Sequence, residues 1–274
     1  FDLNQNLLNI NKDDYFYGEF FRLNIIGGKS ADQPMFSYDK KFLMLFNGEI
    51  YNYLEIAKEY NISAKEGDSR VAIELIAKFG LKIISKFNGM FAIVIYDRKK
   101  NKTYLIRDRL GTKPLYYSKK QNSIYFASEI KALPVKKNID SDIVSDYLDF
   151  GKYPKIKSFF KKIYNVPPSS IIEISKNEFN IKKYFDIKKE VLQKSRTKFD
   201  KGKFNELLKN AILIRQRSDK KINFHLSGGI DSTSLLIFTK DNWSSKYKIN
   251  SSSFSYYGYK DDEYKFIKNI SKKL

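Results

Sequence analysis

Two periodicities run along the chain. Residues 15 to 135 alternate short apolar stretches with turn signals, the habit of strands that bury a face. Candidate strands are 41–47, 90–97, 102–107, 114–118 and 123–127, with turns expected at Asn88-Gly89 and at Lys99 to Asn101. The runs Phe42-Leu43-Met44-Leu45-Phe46 and Phe91-Ala92-Ile93-Val94-Ile95-Tyr96 are apolar throughout and read as buried strands. Between them, Ser69 to Phe79 switches to a helical period through Val71, Ile73, Leu75 and Ile76. The combination predicts an α+β fold, an antiparallel sheet with helices packed on it. Another amphipathic helix is expected over Ser141 to Phe150, with Pro154 just beyond its end, and Pro167-Pro168 marks a turn between short strands.

A second regime begins near Lys188. Phe204, Leu207, Leu208, Ala211 and Ile212 line one face of a helix over Lys203 to Arg215. The strand Ile222 to Leu226 follows, then a glycine turn and a helix from about Thr233. Strand, glycine loop and helix in that order open a parallel α/β unit. At 274 residues the chain exceeds a usual single domain, so two are expected, over 1–187 and 188–274.

Composition narrows the class. Hydrophobic residues at 42% and aromatics at 16% exclude a disordered chain, and no apolar run is long enough to span a bilayer. The formal charge of +20 raises the question of nucleic acid, because clustered Lys and Arg neutralise phosphates. The lysines are scattered along nearly every segment, without a basic arm or stripe, so a solvated lysine-rich surface is preferred and nucleic acid disfavoured. With no cysteine and one histidine, His225, these residues hold no disulfide, Cys/His metal site or thiolate. No charged-then-apolar leader opens the sequence, which makes the cytoplasm the default compartment.

Two short strings carry chemistry. Ser227-Gly228-Gly229-Ile230-Asp231-Ser232 lies where a buried strand hands over to a helix, a place where main-chain N–H groups favour an anion. The glycines let the backbone approach phosphate oxygens, both serines add donors, and Asp231 is placed to hold a magnesium ion that bridges them. A Walker lysine is missing, which disfavours transfer of a terminal phosphate. The string is not G-x-S-x-G either, which argues against a serine hydrolase, and His225 reads as a satisfied sheet residue. The second string is Phe46-Asn47-Gly48-Glu49-Ile50-Tyr51-Asn52-Tyr53. An Asn carboxamide beside a Gly N–H makes a two-donor oxyanion hole, but Asn-Gly is also a strong hairpin signal, and the dipeptide alone favours the turn.

Longer matches decide between them. The SGGxDS loop resembles that of the ATP pyrophosphatases, which place AMP on a carboxylate. The chain as a whole resembles the glutamine-dependent asparagine synthetase family over roughly residues 18 to 274. The resemblance rests on Arg22-Leu23-Asn24-Ile25-Ile26, Asp32-Gln33-Pro34-Met35, the 46–53 string, Phe87 to Ala92 and Tyr96-Asp97-Arg98. It continues through Arg107-Asp108-Arg109-Leu110-Gly111-Thr112-Lys113-Pro114-Leu115-Tyr116-Tyr117, Phe126 to Leu133, Val166-Pro167-Pro168, Arg217-Ser218-Asp219 and the glycine loop, in the family's order. It implies an N-terminal-nucleophile amidotransferase domain of αββα layering, followed by the start of an ATP-pyrophosphatase domain. It further implies that ammonia from glutamine amidates aspartate through an adenylated side-chain carboxylate, with ATP and Mg as cofactors, in a cytoplasmic enzyme with room for a homodimer.

Residue by residue, the resemblance implies that Arg22 clamps the glutamine α-carboxylate and Asp68 pairs with its α-ammonium. Asn47 and Gly48 form the oxyanion hole, and Glu49 assists recognition. Leu226, Ser227, Gly228, Gly229, Asp231, Ser232 and Tyr256 contact ATP, with Asp231 the Mg ligand. The pattern breaks at both ends. The family nucleophile is an N-terminal cysteine, Phe20 stands where the family has histidine, the RGPD turn is unrecognisable, and Leu274 precedes the second SGxGxDE-like loop. The expectation is therefore a chain truncated at both ends and inactive alone. Alternatives are a relative that amidates another carboxylate, such as a sugar acid, or a non-catalytic ligand-binding remnant.

Overall fold

A computed structural model describes residues 16–151, 156–194, 198–243, 248–256, 258–259 and 262–273, so Pro154 lies outside the described residues. The chain divides into two compact units, Phe1–Ser195 and Arg196–Leu274.

The first unit contains β1 (Met35–Phe36), β2 (Phe42–Ile50), α1 (Tyr53–Glu59), α2 (Asp68–Phe79), β3 (Gly89–Asp97), β4 (Lys102–Arg107), β5 (Tyr116–Lys120) and β6 (Ser123–Ala127). α3 (Ser141–Phe150), β7 (Ile163–Asn165), β8 (Ser170–Ile174), β9 (Phe179–Lys183) and α4 (Ile187–Lys194) follow. Six strands form one antiparallel sheet in the order β1-β2-β3-β4-β8-β9, and three form a second in the order β6-β5-β7.

Strand alternation sorts the continuous apolar runs onto two cores. Phe42, Met44, Phe46, Ile93, Ile95 and Ile106 pack with Ile56, Ala57, Val71, Leu75 and Ile76, so α1 and α2 cover one face of the large sheet. Leu43, Leu45, Val94, Tyr96, Leu105 and Ile172 turn the other way and meet Leu115, Tyr117 and Val166 of the second sheet and its flanks. Both faces are thus dry, which is why no polar alternation is visible in the sequence. Each such side chain contributes roughly 1.5–3 kcal/mol by leaving water. The layers run helix, sheet, sheet. α3 buries only Ile143 and leaves Leu148 and Phe150 exposed, so its apolar residues do not complete a fourth layer.

The expected turn at Asn88-Gly89 is corrected. Gly89 opens β3 in register with Ile50, and the N–H of Asn88 is held by Asn52 Oδ1 at 2.9 Å. A Cβ on Gly89 would lie 2.1 Å from the Glu49 carbonyl oxygen, so glycine serves close strand approach here. The string from Arg107 proves to be a clasp. Buried Asp108 accepts the N–H groups of Phe91, Leu110, Thr112 and Lys113, while Arg107 donates to the carbonyls of Gly111, Lys113 and Val166.

The second unit holds α5 (Lys201–Arg215), β10 (Asn223–His225), α6 (Ile230–Asp241), β11 (Asn250–Ser252) and α7 (Tyr264–Lys273). Asp200 caps α5 by accepting the Lys203 N–H at 3.0 Å. β10 and β11 pair in parallel, the pairing of an α/β unit, over a small core of Leu226, Leu236 and Ile267. α6 begins at Ile230, three residues before the expected start, because Gly229 already has the extended conformation of an N-cap. His225 is a sheet residue, exposed at the end of β10 beside the Phe254 ring.

Candidate functional site

The C-terminal end of β2 gathers most of the polar residues singled out in the first unit. Asn47 and Gly48 lie inside the strand, in register with Ala92 and Phe91, which overturns the hairpin reading. Gly48 has φ of 147°, and a Cβ there would sit 2.0 Å from the Met90 carbonyl oxygen. Only glycine tolerates both the angle and the approach. By alternation Asn47 shares a face with Leu43 and Leu45, at the mouth of the inter-sheet core, and its Nδ2 donates to Ser128 Oγ at 3.1 Å. Buried Gln33 acts as a substitute strand for the preceding residue: its Nε2 donates to the Phe46 carbonyl at 2.9 Å and its Oε1 accepts the Phe46 N–H.

Asp68 opens α2 and is 5% exposed. Its carboxylate accepts the N–H of Ile50 at 2.9 Å and that of Ser69 at 2.8 Å. Burial pushes its pKa up to about 6 against those two hydrogen bonds, and the nearby Glu49 carboxylate adds to the rise. Glu49 is itself raised by burial and drawn back by Lys113. Both carboxylates are thus costly to ionise where they stand, and a cation nearby would favour their charged forms.

Arg22 is no plain surface charge. Its guanidinium donates to Asp32 Oδ1 at 2.9 Å, Asn24 Oδ1 at 3.2 Å, the Ile26 carbonyl at 2.7 Å and the Gly28 carbonyl. The loop so ordered abuts the approach to α2: a Cβ on Gly27 would meet the Glu66 carbonyl oxygen at 2.5 Å, and one on Gly67 would meet Gly27 Cα at 3.3 Å. Through these contacts the Arg22 loop, the 47–49 stretch and Asp68 are tied together. Gln33 and Ser128 stood in quoted strings without a role, because their partners lie 13 and 81 residues away.

In the second unit the glycine loop is closed on itself. Ser232 Oγ lies 3.0 Å from Ser227 Oγ and accepts the Ser227 N–H at 3.2 Å. Gly228 has φ of 84° and rests against α7 near Ile267. The first-turn N–H groups of α6 have no partner within the helix, so loop and helix end together suit a phosphate. Asp231 is exposed in that first turn, and no group of three or more acidic, His or Cys side chains among the described residues could hold a metal. A magnesium ion there would draw most of its ligands from phosphate and water. The side chain of Leu226 belongs to the core, leaving only its main chain for a ligand. Tyr256 is 70% exposed and packs edge-on to Tyr259. Among the described residues no helix is long and apolar enough to cross a membrane.

The first unit thus sets an Asn-Gly strand segment beside a buried acid, at the edge of a sheet-on-sheet core. Residues 9–185 match the family described as a glutamine amidotransferase domain, and residues 203–274 match asparagine synthase. A putative asparagine synthetase [glutamine-hydrolyzing] 2 of Methanocaldococcus jannaschii is 33% identical over 83% of this chain and 45% of its own length. Asparagine synthetase [glutamine-hydrolyzing] 1 of Bacillus subtilis is 32% identical over 84% of this chain and 38% of its own. The chain therefore belongs to the glutamine amidotransferase family, and its C-terminal part is similar to asparagine synthase. It spans less than half the length of these relatives. A solved glutamine phosphoribosylpyrophosphate amidotransferase of Bacillus subtilis aligns over 86% of this chain and 50% of its own at 16% identity, with a TM-score of 0.42, too loose a likeness to add to the argument.

Proposed function

We propose that this chain supplies the glutamine-binding groups, and the first part of the nucleotide site, of an enzyme that amidates aspartate with ammonia from glutamine at the expense of ATP. The observation that carries the reading is the joining of the Arg22 loop, the Asn47-Gly48 strand and buried Asp68 at one end of β2. A free amino acid needs one fixed charge of each sign, and Arg22 and Asp68 supply them. Glu49 adds a second acid for the ammonium, and Asn47 with the Gly48 N–H receives the side-chain carbonyl oxygen. For the nucleotide, Ser227, Gly228, Gly229 and Ser232 would cradle phosphate, Asp231 would offer its carboxylate to magnesium, and the Leu226 main chain and Tyr256 would be further contacts. ATP would provide the leaving group that activates the acceptor carboxylate.

None of the 274 residues is cysteine, so glutamine is bound here without a thiolate to attack it. The expected behaviour of the chain is L-glutamine binding by calorimetry with no ammonia release, abolished in Asp68→Ala. Absence of binding, or steady ammonia production, overturns the proposal. Acceptor choice is tested separately by ATP–pyrophosphate exchange in a full-length relative, with aspartate against other acids.

A further inference from the structure

The inter-sheet core ends in two polar residues that meet across the layers. On β2 the inward row Leu43, Leu45 is continued by Asn47; on β6 the inward row Ile124, Phe126 is continued, one residue past the strand, by Ser128. The two rows belong to different sheets, and the Nδ2–Oγ hydrogen bond of 3.1 Å is where they join. Opposite Asn47 in register is Ala92, with a small side chain.

A carboxamide in such a space has alternative orientations, and only one presents N–H to a carbonyl oxygen. With Ser128 Oγ accepting one Nδ2 hydrogen, the orientation of the amide is fixed and the second hydrogen is left for another acceptor. The donor is then oriented before a ligand arrives, and no reorganisation is required on binding.

We propose that Ser128 is a positioning residue for Asn47, and that it confers preference for amino acids bearing a side-chain amide. The inference rests on the glutamine reading above. Its test compares two ligands that share α-carboxylate and α-ammonium, L-glutamine and L-norvaline, titrated against the 274-residue chain. Ser128→Ala weakens glutamine about three- to tenfold, the range of one lost hydrogen bond, and leaves norvaline unchanged. Norvaline binding doubles as the control for folding. Ser128→Thr keeps the hydroxyl and restores the preference for glutamine. In an Asn47→Ala background, Ser128→Ala changes nothing further, because the coupling runs through that one amide. Equal weakening of both ligands, or an unchanged glutamine affinity in Ser128→Ala, overturns the assignment. A wild-type chain that binds norvaline as tightly as glutamine also overturns it, whereas one that binds neither removes the glutamine reading itself.

Discussion

The carboxylate of Asp68, at the start of α2, accepts the main-chain N–H of Ile50, the last residue of β2, at 2.9 Å. That contact ties a helix to the strand carrying Asn47 and Gly48, and places a buried acid at the end of that strand.

Glutamine affinity is expected to follow the ionisation of Asp68. With its pKa near 6, the carboxylate proposed to pair with an α-ammonium is largely charged at pH 7 and largely protonated at pH 5. Affinity falls about tenfold over that interval by the fraction of competent protein alone. Titrations at pH 7.5, 6 and 5 check this, and a flat profile would assign the ammonium to another group.

The same shift has a consequence for stability, of opposite sense. Asp68 holds its proton more tightly folded than unfolded, so stability is greatest below the ordinary value of 3.8 and declines as pH rises toward about 6. The decline is about 3 kcal/mol if the whole shift is expressed. Asp68→Asn removes this fall, although its amide accepts only one of the two N–H groups, so its urea midpoint is the same at pH 4 and pH 7 and it no longer holds glutamine. Urea midpoints at pH 4 and pH 7 for both proteins measure it.

Gly48→Ala meets both a φ of 147° and the Met90 carbonyl oxygen at 2.0 Å. β3 must move away, breaking the register through Asn47 and Ala92, at a cost of roughly 3 kcal/mol or more. A chemical-denaturation midpoint within experimental error of the wild type would show that the strands are not this close.

Gln33→Leu preserves bulk and removes both hydrogen bonds to Phe46. It strands a buried N–H and a buried carbonyl, for a loss of about 2–4 kcal/mol, against less than about 1.5 kcal/mol for a volume-conserving swap in an apolar site. Comparison with Leu45→Met, in the apolar core nearby, separates the two costs in one denaturation series.

How far the sequence reveals this arrangement depends on the range of the forces involved. β2, β3, β4 and α2 were legible because their apolar periods are local and strong. α1 and the three-residue β7 were not, since seven and three residues give too short a window for any period. Asn47-Gly48 misleads when read alone: the dipeptide has turn chemistry, and its place inside a strand is enforced by pairing with Ala92 and Phe91, more than forty positions away. The resemblance corrected that reading by bringing in the longer string. It could not supply Gln33 or Ser128 as partners, because a side-chain hydrogen bond over 13 or 81 residues leaves no periodic trace. The Arg107-Asp108 string was visible as a string only. Its meaning, one carboxylate satisfying four amides, is a property of folded geometry.

That clasp also sets where the chain tolerates a change of length. The exposed hairpin tip at Arg98 to Asn101 is held by fewer contacts, among them two N–H groups on Asp97 and the Tyr96 hydroxyl on Asn101, and residues added between Lys100 and Asn101 lengthen a solvent loop at a cost of loop entropy that grows only slowly with size. Between Asp108 and Lys113 an added residue would pull amide donors away from one shared acceptor and detach the Arg107 fork from the carbonyls it holds. Two surface loops of similar appearance therefore differ sharply, one an elastic margin open to insertion and the other a joint of fixed length.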